Sequence, residues 1–214
     1  MVAAKRLLKG RVGIDSEAGP TEILVVADAS ASPELVAADL VSQAEHDVLA
    51  AAVLVTDSPE LAAAVDEAVA RRAATTFHAE RVATSLQAQQ SGVVLVDDLA
   101  AAVVVSNAYA PEHLEVQTRD PWPLVAELTE AGAVFVGPST PVSLGDYAAG
   151  SNHVLPTGGT ARFAAGLSVR PFLRQQQVVE YDLDALREAQ PVVRALADAE
   201  GLPAHGDAVD ARFA

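Results

Sequence analysis

Two short stretches hold most of the side chains able to do chemistry in this 214-residue chain. SNAYAPEHLEV, ending at Val116, supplies Asn107, Glu112, His113 and Glu115. GPSTPVSLGDYAAGSNHVLPTGG, ending at Gly159, supplies Asp146, Asn152 and His153. Acids and imidazoles on Gly- and Pro-punctuated segments beside apolar strands are where catalytic and metal-binding groups concentrate. The adjacent Glu112 and His113 can divide general acid–base work, the carboxylate activating water and the imidazole shuttling a proton. A helix N-terminus, where Glu is favourable, would carry the same pair. Asp146 stands between Gly145 and Tyr147 and can hold a cation, since glycine lets backbone approach a ligand closely. A plain turn accounts for the glycines, but less well for the Asp, Tyr, Asn and His gathered around them.

Two further groups lie far from these stretches. Gln43 and His46 are three apart on a predicted helix, so they share a face and can reach a common point. A polar helix end carries the same residues, because His is favourable against the dipole. His205, in LPAHGDA, and Glu200 read by themselves as tail residues.

The elements that must position these groups alternate β-branched runs with helical patterns. Glu22 to Val26 and Ala52 to Val55 read as buried strands. Each is followed by Ser-Pro-Glu (32–34 and 58–60): a cap, a proline suited to the first turn and an acid suited to the dipole. The first helix is expected to run to about Asp47 and the second to about Ala73, with a third over 79–90. Further strands are predicted at 92–96, 102–105 and 133–136, with helices at 97–101 and 123–131. Glu112 and His113 would then follow the 102–105 strand, at the carboxyl end where α/β sheets bind ligands. The fold class is α/β, an incomplete Rossmann-like parallel sheet with helices on both faces, plus a helical C-terminal arm. Past Gly166 the pattern changes to an irregular 168–177 and a helix over 183–199 interrupted by Pro191. Gly201 reads as a helix stop.

Composition narrows the chemistry. Half the residues are hydrophobic, and 29 acids against 14 bases give a net charge of −15. Such a surface repels phosphate backbones and anionic lipid, so neither nucleic acid nor a membrane is an expected partner. Without cysteine there are no disulfides, thiolate zinc sites or thiol nucleophiles, which fits a cytoplasmic protein. No apolar run approaches the ~20 residues that span a bilayer. Neither of the glycine-rich phosphate-loop fingerprints occurs.

Taken together the segments resemble histidinol dehydrogenase over nearly the whole chain. The likeness rests on AKRLLKGRVGID, AGPTEILVVAD, VAADLVSQAEHD, NAYAPEHLE, AGAVFVGPSTP, GDYAAGSNHVLPTGGTARF and EGLPAHGDAV. The resemblance implies oxidation of L-histidinol through L-histidinal to L-histidine by two NAD, in histidine biosynthesis. It implies zinc held by Gln43, His46, Asp146 and His205, a set of nitrogen and oxygen donors suited to that ion. It makes Glu112 and His113 the catalytic pair. It also makes Thr21, Gln43, His46, His113, Asp146, Glu200 and His205 substrate contacts. A domain-swapped homodimer is implied too, in which the tail bearing Glu200 and His205 completes the partner's site. The residues add one constraint of their own. Oxidising an aldehyde needs a thiol or an activated water, and without cysteine only water remains, with Glu112 as its base.

The resemblance covers only the C-terminal half of the family pattern. The cofactor-binding residues are expected in the N-terminal half. On that basis 1–27 is a remnant of the preceding cofactor-side domain, 28–166 an incomplete catalytic domain and 167–214 a dimerisation arm. Two alternatives stand beside this reading: a non-catalytic zinc- or histidinol-binding module, and a related zinc-dependent alcohol dehydrogenase with another substrate.

Overall fold

A computed structural model describes residues 2–17 and 19–214. Contacts group the chain into two compact units, Met1–Leu173 and Arg174–Ala214. The first unit opens with α1 (Val2–Leu8) and is built on a sheet of five strands. These are β1 (Glu22–Ala27), β2 (Ala51–Thr56), β3 (Gly92–Leu95), β4 (His113–Gln117) and β5 (Ala133–Val136). All neighbours pair in parallel, in the order β3-β2-β1-β4-β5. The predicted α/β class with a parallel sheet is what the chain adopts.

Helices cover both faces. On one, Ile23, Val25 and Leu54 pack against Val36 and Leu40 of α2 (Pro33–Ala44) and Leu61 and Val65 of α3 (Pro59–Thr75). On the other, Leu24, Val26, Leu114 and Val116 pack against Ala102 and Val103 of α5 (Leu99–Tyr109) and Leu124 of α6 (Pro121–Glu127). Every residue of β1 and β2 is buried. That is why these strands read as unbroken apolar runs and not as alternating ones. Leaving the sheet, β2 leads through α3 and α4 (Ala79–Gln87) to the exposed edge strand β3.

The segment 102–105, expected as a strand, is instead the middle of α5. Asp98 caps that helix, its carboxylate accepting from the Ala101 amide at 2.8 Å. The valine triplet favours a strand locally, but a side-chain cap and an alanine-rich run favour a helix. Helical spacing then buries Ala102, Val103 and Ser106. Consequently Glu112 and His113 do not follow a strand. They precede and begin β4, at the amino ends of the strands and not the carboxyl ends. Three short helices were not predicted: α1, α7 (Val142–Tyr147), six residues with Gly145 inside it, and α9 (Pro203–Asp210). The second unit is a helical hairpin of α8 (Leu183–Ala199), continuous through Pro191, and α9.

One polar feature sits inside the first unit. Glu115 pairs with Val25 and Phe135 and so faces α2, fully buried, both carboxyl oxygens without a hydrogen-bond partner. Burial, with Asp39 of α2 nearby, pushes its pKa up to about 9. The Asp39 carboxyl is itself raised by burial. Both the burial and the neighbouring carboxyl favour the neutral form of Glu115.

Candidate active site at the amino ends of β1 and β4

Register brings the candidate residues together. Ile23 pairs with His113, so Thr21 and Glu22 before it lie beside Glu112. The Thr21 hydroxyl donates to Glu112 Oε2 at 2.6 Å, and the Glu22 amide donates to the same oxygen at 3.0 Å. Gln43, near the end of α2, donates from Nε2 to Thr21 Oγ1 at 2.7 Å. A chain of donors from helix to strand therefore fixes one oxygen of a buried carboxylate. Because Nε2 is the donor, the Gln43 carbonyl oxygen is the atom left to bind a cation.

His113 is held from the same strand. Its Nδ1 lies 3.0 Å from the Glu22 carbonyl oxygen. A carbonyl can only accept, so the neutral ring carries its hydrogen on Nδ1 and its lone pair on Nε2. That Nε2 is buried and has no protein partner. Glu112 Oε2 stands 3.5 Å from Nδ1, close enough to steady an imidazolium when the ring takes a proton.

The backbone leading into this pair is tightly specified. Ala110 ends α5 in the left-handed conformation, at φ 56°, and turns the chain into Pro111 and Glu112. The Gly132 and Ala133 amides donate to the Pro111 and Glu112 carbonyls at 2.9 and 3.0 Å. A Cβ on Gly132 would fall 2.5 Å from the Glu112 carbonyl oxygen, so only glycine lets β5 start there. Gly145 has the same kind of role for α7. A Cβ there would lie 2.7 Å from the Phe135 ring, so α7 packs close enough to β5 for Asp146 to line the cavity that His113 also lines.

Glu22 braces the far side of the cleft. Its carboxylate accepts from the Gly158 amide at 3.0 Å and faces the Tyr109 hydroxyl at 3.5 Å. Burial pushes the Glu22 carboxyl up, with the Glu112 charge adding to it. Burial beside Glu22 likewise pushes the Tyr109 phenol up to about 12.

Thr21, Glu112 and His113 share a cavity of about 330 Å³ with His46, Asp146, Tyr147 and His153. Five of the predicted site residues thus meet in one cleft, and Gln43 stands behind Thr21. Gln43 donates to Thr21, which lines the same cavity as His46. Asp146 lies on α7 and not in a loop. Glu200, which ends α8, and His205 of α9 belong to the second unit. Asn152 spends its side-chain oxygen on the Val154 amide at 2.8 Å, as a turn residue does. Tyr147 and His153 are the lining residues to which sequence reasoning gave no role. Their signal was proximity, because both sit in the same GDYAAGSNH run as Asp146.

An imidazole and a carboxylate facing one cavity, with an amide oxygen behind them, form a donor set that zinc accepts. Among the described residues no three His, Cys, Asp or Glu side chains by themselves form a metal-holding cluster. A complete shell would need Gln43 and a further ligand in addition to His46 and Asp146. No helix is long and apolar enough to cross a membrane, among the described residues.

Fold and cleft together define an α/β protein in which Glu112 and His113, at the amino ends of the strands, share one cavity with His46 and Asp146. Comparison with known proteins makes this specific. Residues 1–213 match the family described as histidinol dehydrogenase, and the chain belongs to that family. It is 62% identical over 213 residues to the histidinol dehydrogenase of Nocardia farcinica, covering 100% of this chain and 48% of that protein. It is 59% identical to that of Corynebacterium diphtheriae, covering 47% of it. The crystal structure of histidinol dehydrogenase from Elizabethkingia anophelis superposes with a TM-score of 0.90 at 35% identity, over 99% of this chain and 49% of that one. The chain therefore spans about half the length of the relatives it matches.

Proposed function

We propose that this chain is the zinc- and substrate-binding part of a histidinol dehydrogenase, acting in cytoplasmic histidine biosynthesis. The reaction takes L-histidinol through L-histidinal to L-histidine, with two NAD as hydride acceptors. The observation that carries this reading is Glu112 and His113, locked by Thr21 and Glu22 in a cleft shared with His46 and Asp146. Gln43, His46, Asp146 and His205 would hold the zinc, which when bound supplies an electrophile that orients the substrate's nitrogen and hydroxyl groups. Thr21 and Glu200 are further substrate contacts. The C-terminal arm would bring Glu200 and His205 to the cleft within a homodimer.

The chain's own residues account for the proton movements. His113 Nε2, the free nitrogen of a ring held by its Nδ1–H, takes the alcohol proton as hydride leaves the carbinol carbon. Glu112 then removes a proton from water as its oxygen adds to the aldehyde carbon, while His113 returns its proton to the aldehyde oxygen, giving the hydrate and freeing Nε2 again. His113 accepts the hydrate's hydroxyl proton as the second hydride leaves, and the acid is released. Two hydrides go to NAD, water supplies the second oxygen, and the protons left on His113 and Glu112, with that of the acid, pass to solvent.

Zinc retention tests the reading. His46→Ala and Asp146→Ala, dialysed against trace zinc beside the wild type, are expected to lose the bound metal. Unchanged zinc stoichiometry in both variants would remove the ligand assignment and the reading with it.

A further inference from the structure

Within the C-terminal unit Glu200 ends α8 and His205 lies in the first turn of α9. The turn between the two helices is closed by backbone bonds. Gly201 takes φ 70°, and the Leu202 amide returns to the Ala197 carbonyl at 2.8 Å. What sets the direction of α9 beyond the turn is a separate question, because apolar packing is thin. Only Ala197 of α8 and Gly206 of α9 are buried.

Arg194 fills that role. From α8 its guanidinium donates to Asp207 Oδ1 at 2.8 Å, to Asp210, and to the Pro203 carbonyl oxygen at 3.4 Å. Gln190 adds a bond to Asp210 at 2.7 Å. The contacts bracket His205 on both sides, at 203 and 207. Gly206 completes the fit, since a Cβ there would lie 2.6 Å from the guanidinium carbon. The side chain next to His205 has in effect been removed so that Arg194 can lie against the α9 backbone. An isolated exposed ion pair contributes little. A planar fork serving two carboxylates and a carbonyl fixes an angle, which a lysine's point charge does not.

We propose that Arg194 is a positioning residue for His205, holding α9 at the angle that presents this imidazole as a zinc ligand. The inference rests on the proposed reading of His205. It assigns to Arg194 no contact with substrate or metal. Loss of an outer-shell partner of this kind typically weakens metal binding by about 10–100-fold.

The test is a zinc titration of the full chain with Arg194→Ala, Arg194→Lys, His205→Ala and the double variant Arg194→Ala/His205→Ala. Cobalt substitution reports the ligand field, and circular dichroism confirms that the helices persist. We expect both Arg194 variants to weaken zinc by at least about tenfold, to lose the same cobalt band as His205→Ala, and to add nothing in the double variant. Gly206→Ala, which displaces the guanidinium without deleting it, should reproduce the loss if Arg194→Ala fails to fold. Wild-type zinc affinity in the Arg194 variants, with zinc lost in His205→Ala, would overturn the inference and leave the reading intact. Additive losses in the double variant would also overturn it, because Arg194 would then act elsewhere. Wild-type affinity in His205→Ala would overturn the reading of His205 and the inference with it.

Discussion

Glu112 is positioned less by its own strand than by what neighbouring chain segments allow. One oxygen is held by Thr21 and the Glu22 amide, while its carbonyl is pressed against Gly132, where a Cβ would come within 2.5 Å. Gly132→Ala must therefore move β5 or Glu112. It is expected to cost about 1–3 kcal/mol, the usual range for overpacking, and to lower the urea midpoint without changing the slope. Two residues along β4, Glu115 makes stability depend on pH. Its folded pKa is raised to about 9 from the ordinary carboxyl value of 4.5, so the folded state binds the extra proton. That contribution is full below about pH 4.5 and is lost progressively as pH rises towards about 9. Glu115→Gln keeps the neutral shape without that loss. At pH 7 it should stabilise the chain, and at pH 4 it should do almost nothing. Urea unfolding at the two pH values measures the difference, and an equal effect at both would show that Glu115 is ionised in the fold.

At the scale of elements, some of this arrangement was legible in the sequence and some was not. β1, β2, α2 and α3 could be read because two Ser-Pro-Glu starts followed unbroken apolar runs, and Ser58 does cap its helix, accepting from the Leu61 amide. The reading of 97–105 as a short helix followed by a strand failed. In α5 the run Val103–Val105 has strand-forming residues, and only the Asp98 cap distinguishes it. A strand there would put Glu112 and His113 at the carboxyl end of the sheet, whereas they stand at the amino end, before and at the start of β4. The meeting of Thr21 with Glu112 was not readable from spacing at all, because it depends on β1 and β4 being neighbours 91 residues apart. In the second unit, Pro191 was expected to interrupt a helix that in fact continues. The missing amide bond and ring clash remain a cost there, and a proline in a helix interior is about 3 kcal/mol worse than alanine. Pro191→Ala, exposed on α8, is expected to slow amide hydrogen exchange in the turn around it by up to about 100-fold, the kinetic equivalent of that figure. Unchanged exchange would mean that the helix has already relaxed around the ring.

The whole molecule joins the cleft of Thr21, Glu112 and His113, at the amino ends of β1 and β4, to a sheet with one exposed edge. Neither glycine-rich fingerprint for a pyrophosphate occurs in the sequence. The edge strand β3 exposes Val93, Val94 and Leu95, and relatives matched along this whole chain continue for about as much sequence again. Substrate binding and hydride transfer should then separate experimentally. Histidinol should raise the thermal midpoint of the zinc-loaded chain, by mass action on the folded state, and this shift should vanish in Asp146→Ala. The same preparation should reduce little or no NAD. Adding a polypeptide that spans the remaining half of a relative should restore NAD reduction, and Glu112→Gln in this chain should abolish it while leaving the histidinol-induced shift in place. That last contrast decides the roles, because a residue that acts as base in the hydration step is needed for turnover and not for holding histidinol. Steady NAD reduction by this chain alone would show that the cofactor is bound by the residues present, and the exposed β3 side of the sheet would be the first place to look for it.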